Sequence, residues 1–136
     1  FKILIEKKMY DGSAFYKVVE NTLVQAGDIE FGNIKYLDYS KIGSGKSGLG
    51  LLNSELSDDY EFTEGSVGFA RSTEFDTEDS EFFITLKNIP IYQGEYTPIG
   101  KVQYGLDILK KIKTGYNAIF VLRPDYINTF RMLETN

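Results

Sequence analysis

Apolar and polar positions change period several times along the chain. Phe1, Leu4 and Ile5 recur at helical spacing among Lys2, Glu6, Lys7 and Lys8, and the run stops at the turn signal Asp11-Gly12. This predicts the last turns of a helix. Ala14 to Val19 and Leu23 to Gln25 are rich in β-branched and aromatic residues and are separated by Glu20-Asn21, which predicts two strands paired as a hairpin. Ser66–Ala70, Glu81–Leu86 and Thr97–Val102 predict three more strands, and Ile127–Leu133 a final one. Leu106, Ile108, Leu109 and Ile112 alternate with lysines as an amphipathic helix ending at Gly115.

Two stretches carry no such period. Between Gly27 and Gly50, glycines at 27, 32, 43, 45, 48 and 50 mark a loop-rich region. Glu74, Asp76, Glu78 and Asp79 form an acidic excursion between two strands, read as a solvated loop. Short strands with one helix early and one late predict a mainly β chain, a barrel closed by helices at its mouths. No internal repeat or linker interrupts it, so residues 1–136 are read as a single domain.

Composition narrows the chemistry. The 10 Tyr and 10 Phe suit strands better than a helical bundle. With no Cys and no His the chain has no disulfide, no thiol nucleophile, no imidazole base and no imidazole metal ligand. A net charge of −5 opposes binding to phosphate backbones or anionic membranes, so nucleic acid is not an expected partner. No apolar stretch approaches the roughly 18 residues of a spanning helix, so membrane insertion is not expected. The opening residues are too short and mixed for a signal peptide. Because the chain opens on Phe1 and not on Met, its natural start is expected upstream.

Two motifs invite functions that their spacing does not support. Ile42-Gly43-Ser44-Gly45-Lys46-Ser47 resembles a phosphate loop, but the position five before Gly45 is Ser40 instead of Gly, and no strand precedes it. A surface loop is the better reading. The acidic run from Glu74 to Glu81 lacks the order and the glycine of an EF-hand, so no metal and no cofactor are expected.

A third set of motifs points elsewhere. Tyr10-Asp11-Gly12-Ser13-Ala14-Phe15-Tyr16-Lys17-Val18-Val19 resembles the cyclophilin pattern Y-D-G-x-x-F-H-R-V-I, and Gln25-Ala26-Gly27-Asp28 resembles the Q-G-G-D that follows it. Gly65-Ser66-Val67-Gly68-Phe69-Ala70-Arg71-Ser72 is similar to G-x-x-x-M-A-R-S, and Ser80-Glu81-Phe82-Phe83-Ile84 to S-Q-F-F-I. Gln93-Gly94-Glu95-Tyr96-Thr97 and Gly100-Lys101-Val102 resemble D-G-Q-Y-T and G-K-V, and Arg123-Pro124-Asp125 closes the series. The resemblance covers almost the whole chain. It implies a cyclophilin-like closed β-barrel capped by two helices, with the first two strands missing from this chain. The glycine-rich loop is most similar to alphaproteobacterial members, which leaves bacterial periplasm, bacterial cytoplasm and mitochondrion open as compartments.

The resemblance also implies peptidyl-prolyl cis-trans isomerisation of X-Pro bonds, with proline-containing peptide or protein segments as partners. In the family an arginine donates to the prolyl nitrogen while an apolar pocket grips the ring. Here the arginine place is held by Lys17 and the adjoining glutamine is kept as Gln25; both are expected catalytic positions. The substrate-binding positions implied are Thr22 and Leu23 in place of Phe and Met, with Ala70, Arg71 and Phe83 kept, Ile91 in place of Trp or Phe, Tyr92 in place of Leu, and Tyr96. Glu81 replaces a glutamine and adds charge near the groove. Lysine lacks the planar fork of arginine, so activity is expected to be weakened. The alternative is a non-catalytic structural or interaction subunit of a larger assembly that kept the barrel.

Overall fold

The computed structural model describes residues 1–115 and 120–133. Helix α1 (Lys2–Glu6) leads into strands β1 (Lys17–Val19) and β2 (Leu23–Ala26). A long irregular stretch then reaches β3 (Ser66–Phe69) and β4 (Phe82–Thr85). A 3-10 turn (Pro90–Tyr92), β5 (Pro98–Lys101) and helix α2 (Leu106–Leu109) follow. The strands form one antiparallel sheet in the order β1-β2-β4-β3-β5.

The β1–β2 hairpin turns at Asn21, whose φ of 54° lies in the left-handed region that asparagine tolerates better than most residues. Its register aligns Val18, Val24, Ile84 and Val67 across four strands on one face. That face is covered. Val18 and Val24 join Leu86 and Val121 in a buried cluster to which α2 adds Leu106 and Leu109. A second cluster, Leu4, Ile5, Tyr10, Ala26 and Phe82, is sealed by Phe1, Ile127 and Phe130. Alternation along the strands thus sends every second side chain into an apolar core, and the intervening ones to the opposite face.

The expectation of a mainly β chain with two short helices is met, while closure of a barrel is not seen: among the described residues β1 and β5 are the free edges of the sheet. Ile127–Leu133 is not a strand. Its backbone meets the segment from Asp11 to Ala14 through isolated links, Ile127 N–H to Ser13 O at 2.8 Å, Gly12 N–H to Ile127 O at 2.7 Å and Phe130 N–H to Asp11 Oδ1 at 3.1 Å, and Arg131 donates both Nη groups to the Asp11 carboxylate. With Ile127 and Phe130 packed on the core and its donors going to an irregular segment, the stretch has no ladder to join. For the same reason the first strand is shorter than its apolar run: Ala14 makes only an isolated bridge with Tyr126. The second helix ends at Leu109, before Ile112.

The glycine-rich stretch is stapled by one carboxylate. Asp28 is fully buried, and its Oδ1 accepts the N–H groups of Glu30 and Phe31 while its Oδ2 accepts those of Gly43 and Gly45 at 2.7 and 3.1 Å. The amides of the phosphate-loop look-alike therefore serve the chain's own aspartate. A Cβ on Gly45 would lie 1.9 Å from Asp28 Oδ1, so only glycine lets the loop close on it. The acidic excursion also departs from expectation. Glu74 and Asp76 are exposed, but Glu78 and Asp79 are buried. Glu78 accepts from Ser54 Oγ at 2.8 Å and Thr97 Oγ1 at 3.2 Å, and Asp79 accepts from Ser47 N–H at 2.8 Å. These carboxylates are buried because hydroxyls and amides of neighbouring loops satisfy them.

Candidate functional site

The opposite face of the sheet carries a second cross-strand row. Lys17 pairs with Gln25, Gln25 with Phe83, and Phe83 with Gly68, over β1, β2, β4 and β3. Register alone thus brings a cation, an amide, an aromatic ring and a bare backbone side by side. Leu23, two residues before Gln25, lies on the same face.

The aromatic ring is fixed on three sides. Phe83 packs against Phe62 at 5.7 Å between centroids, and edge-on against Tyr92 at 5.5 Å and Tyr96 at 5.2 Å. The 3-10 turn supplies Tyr92, and the approach to β5 supplies Tyr96, whose ring lies 4.6 Å from that of Tyr92. Burial, and then the neighbouring Tyr96, push the Tyr92 phenol above its ordinary value.

These groups enclose a cavity of about 150 Å³ lined by Lys17, Leu23, Gln25, Ala70, Arg71, Phe83, Tyr92 and Tyr96. Eight of the expected site residues therefore converge. Thr22 and Ile91 do not line it. The Thr22 hydroxyl donates to Glu20 O at 3.1 Å within the hairpin turn. Ile91 is 79% exposed, because the 3-10 turn directs Tyr92 inward at the neighbouring position.

Arg71 and Lys17 differ in what their charges do. The Arg71 guanidinium donates through Nε and Nη2 to Glu95 O at 3.1 and 2.8 Å and through Nη1 to Ser72 O at 3.0 Å. It stacks over Phe75 and Tyr96. Its fork is a clamp between loops, and its planar face forms part of the groove wall. Lys17 Nζ makes no hydrogen bond or ion pair among the described residues and is available to a ligand.

Beside the groove, and sharing Gln25, Ala70 and Arg71 with it, lies a polar cavity of about 270 Å³ reaching Gly43, Ser72, Asp79 and Glu81. Glu81 accepts the hydroxyl proton of Tyr16, and Gln25 Nε2 donates to Tyr16 Oη at 2.8 Å. Burial dominates the Glu81 carboxyl and pushes it up to about 7, against the Tyr16 hydrogen bond. Burial and the Glu81 charge push the Tyr16 phenol up, so it remains a proton donor. Sequence reading missed Tyr16. The only signal was its position next to Lys17 in the matched block, at the place where the pattern has His. Among the described residues, no group of three or more acidic side chains is gathered to hold a metal ion.

The sequence profile described as "Cyclophilin type peptidyl-prolyl cis-trans isomerase/CLD" matches residues 1–131. The chain belongs to the cyclophilin-type peptidyl-prolyl cis-trans isomerase family. Among its cyclophilin relatives, a probable peptidyl-prolyl cis-trans isomerase of Brucella abortus is 39% identical over 118 residues, covering 86% of this chain and 60% of that protein. Peptidyl-prolyl cis-trans isomerase CYP18-1 of Arabidopsis thaliana is 32% identical over 123 residues, with 85% and 69% covered. The chain thus spans 60% of the length of the Brucella relatives. In three dimensions it is similar to a cyclophilin-type isomerase of Cryptosporidium parvum, with a TM-score of 0.81, 20% identity, and 99% and 83% of the two chains covered. The cyclophilin AquaCyp293 of Hirschia baltica gives a TM-score of 0.74 at 16% identity, with 93% and 61% covered. These likenesses bear out the cyclophilin-like fold.

Proposed function

We propose that this chain forms the peptide groove of a prolyl isomerase that binds extended, proline-containing segments and turns them over slowly. The observation that carries the reading is the convergence of Lys17, Gln25, Phe83, Tyr92 and Tyr96 on one small cavity. The Cryptosporidium relative was crystallised in the presence of the dipeptide Ala-Pro, which supports an X-Pro ligand for the same kind of groove.

The chemistry asked of the groove is modest. A peptide bond resists rotation by about 18–20 kcal/mol, and X-Pro bonds interconvert over tens to hundreds of seconds unaided. A catalyst need only favour the twisted amide, whose nitrogen gains basicity as conjugation is lost. Phe83 and Leu23 offer an apolar floor for the pyrrolidine ring, Gln25 holds the peptide backbone, and the Lys17 ammonium donates to the prolyl nitrogen. No covalent step is involved, in keeping with a chain that has no Cys or His. An ammonium on a flexible stem is a less exact donor than a guanidinium fork, so turnover is weak.

One observation favours a second reading, a binding subunit without catalysis: Arg71, the guanidinium at the groove, is committed to loop carbonyls and is not free to donate to a prolyl nitrogen. A protease-coupled assay on a proline peptide distinguishes the two. Acceleration at micromolar protein supports the isomerase; saturable peptide binding with no acceleration, even in Lys17→Arg, supports the binding subunit.

A further inference from the structure

Gln25 lines both the groove and the polar cavity beside it, and its side chain is held from behind. Its Nε2 donates to Tyr16 Oη at 2.8 Å, and the Tyr16 hydroxyl donates to Glu81 Oε1. Tyr16 is only 2% exposed, its ring set edge-on to Phe120 at 5.5 Å and its hydroxyl beneath the Gly43 turn. The phenol therefore has little freedom to choose other partners.

The direction of this chain of bonds follows from proton counting. A phenol carries one proton and an ionised carboxylate can only accept. With Glu81 ionised, the Tyr16 proton points at Glu81, the Tyr16 oxygen is left as an acceptor, and only the NH₂ end of Gln25 can face it. Gln25 Oε1 is then turned away from Tyr16 and offered to a peptide N–H. When Glu81 takes up a proton from solvent, it can donate that proton to the Tyr16 oxygen. The Tyr16 proton is then free to bond Gln25 Oε1, and the amide turns its NH₂ toward the groove.

We propose that Tyr16 and Glu81 are positioning residues for Gln25, and that the charge on Glu81 selects whether the groove presents an acceptor or a donor to the peptide backbone. The functional consequence rests on the groove reading above; the relay itself does not. Besides Tyr16 and Gln25, the groups that face Glu81 are Asp28, which opposes its ionisation, Lys46, which favours it, and the buried Tyr10 phenol, which its charge holds protonated, with Asp79 and Arg71 lining the same cavity. Burial outweighs them and places the change near neutrality.

The test uses the whole chain, isotope-labelled and free of peptide. The Glu81 carboxyl carbon is expected to titrate with a midpoint near 7, and the Gln25 side-chain NH₂ resonances to move with the same midpoint. Gln25 also lies against Glu81 directly, so Tyr16→Phe should leave at most a small part of the Gln25 movement while Glu81 still titrates. The proposal is overturned if Gln25 stays still while Glu81 titrates, if its movement keeps its full size in Tyr16→Phe, or if Glu81 remains ionised throughout. In a second arm, affinity for an Ala-Pro-containing peptide should change about fivefold across the same pH range, the weight of one hydrogen bond, and be flat in Tyr16→Phe. A moving Gln25 amide with no peptide binding at any pH would remove the groove reading and leave the relay standing.

Discussion

Gly68 and Phe83 are register partners in the β3–β4 ladder, and the Phe83 ring occupies the space that a side chain at position 68 would need. A Cβ there would lie 2.6 Å from Phe83 Cζ and 2.9 Å from Phe62 Cε1. The floor of the groove is an aromatic ring laid over a bare glycine, and the pair is a single unit. Gly68→Ala is therefore expected to displace both rings, destabilise the fold by about 1–3 kcal/mol as overpacking does, and weaken peptide binding. Urea denaturation and peptide titration of the variant check the two effects.

Lys17 is the group with most to gain from substitution. It faces the groove opposite Gln25 and has no protein partner among the described residues. Lys17→Arg introduces a planar fork and is expected to raise turnover of a proline peptide by on the order of tenfold to a hundredfold, with stability little changed. The same coupled assay measures it, and an unchanged or lower rate would show that position 17 does not act on the prolyl amide.

Glu81 makes stability depend on pH. Its carboxyl is held at about 7 in the fold against an ordinary 4.5. Below the ordinary value both folded and unfolded chains are protonated, and the contribution of the neutral carboxyl is complete. As pH rises from 4.5 to about 7 the unfolded chain ionises first, so stability is lost across that window. Glu81→Gln should remove this slope and be more stable than the parent at pH 8 by on the order of 2 kcal/mol. Asp11 acts with the opposite sign. The Arg131 hydrogen bonds hold its carboxyl below 3.8, so its contribution is present above that value and fades as pH falls through the depressed one. Denaturation midpoints at pH 3, 5 and 8 read both effects.

The strands that build the groove were legible because their period is local. Leu23 and Gln25 alternate with Val24, and Phe83 with Phe82 and Ile84, so the face of each follows from spacing, whereas the pairing of β2 with β4 does not. Which of those strand residues to single out came from the cyclophilin-like motif blocks and not from the spacing. Failures came where a tertiary partner decided the matter. Ile127–Leu133 has a strand-like composition, but its donors go to Asp11 and Ser13 in an irregular segment. Glu78 reads as solvated until Ser54 and Thr97 are seen to satisfy it. Ile91 points outward because a three-residue turn exchanges it with Tyr92. The Tyr16–Glu81 contact joins residues 65 positions apart, beyond the reach of any periodicity.

The most direct test is a titration of the labelled chain with a short peptide containing Ala-Pro, followed residue by residue. The groove predicts saturable shifts centred on Lys17, Gln25, Ala70, Phe83, Tyr92 and Tyr96, the residues lining its cavity, and their loss when proline is replaced by alanine in the peptide. Shifts confined to other surfaces, no shifts at millimolar peptide, or equal shifts with the alanine peptide would contradict a proline-binding groove.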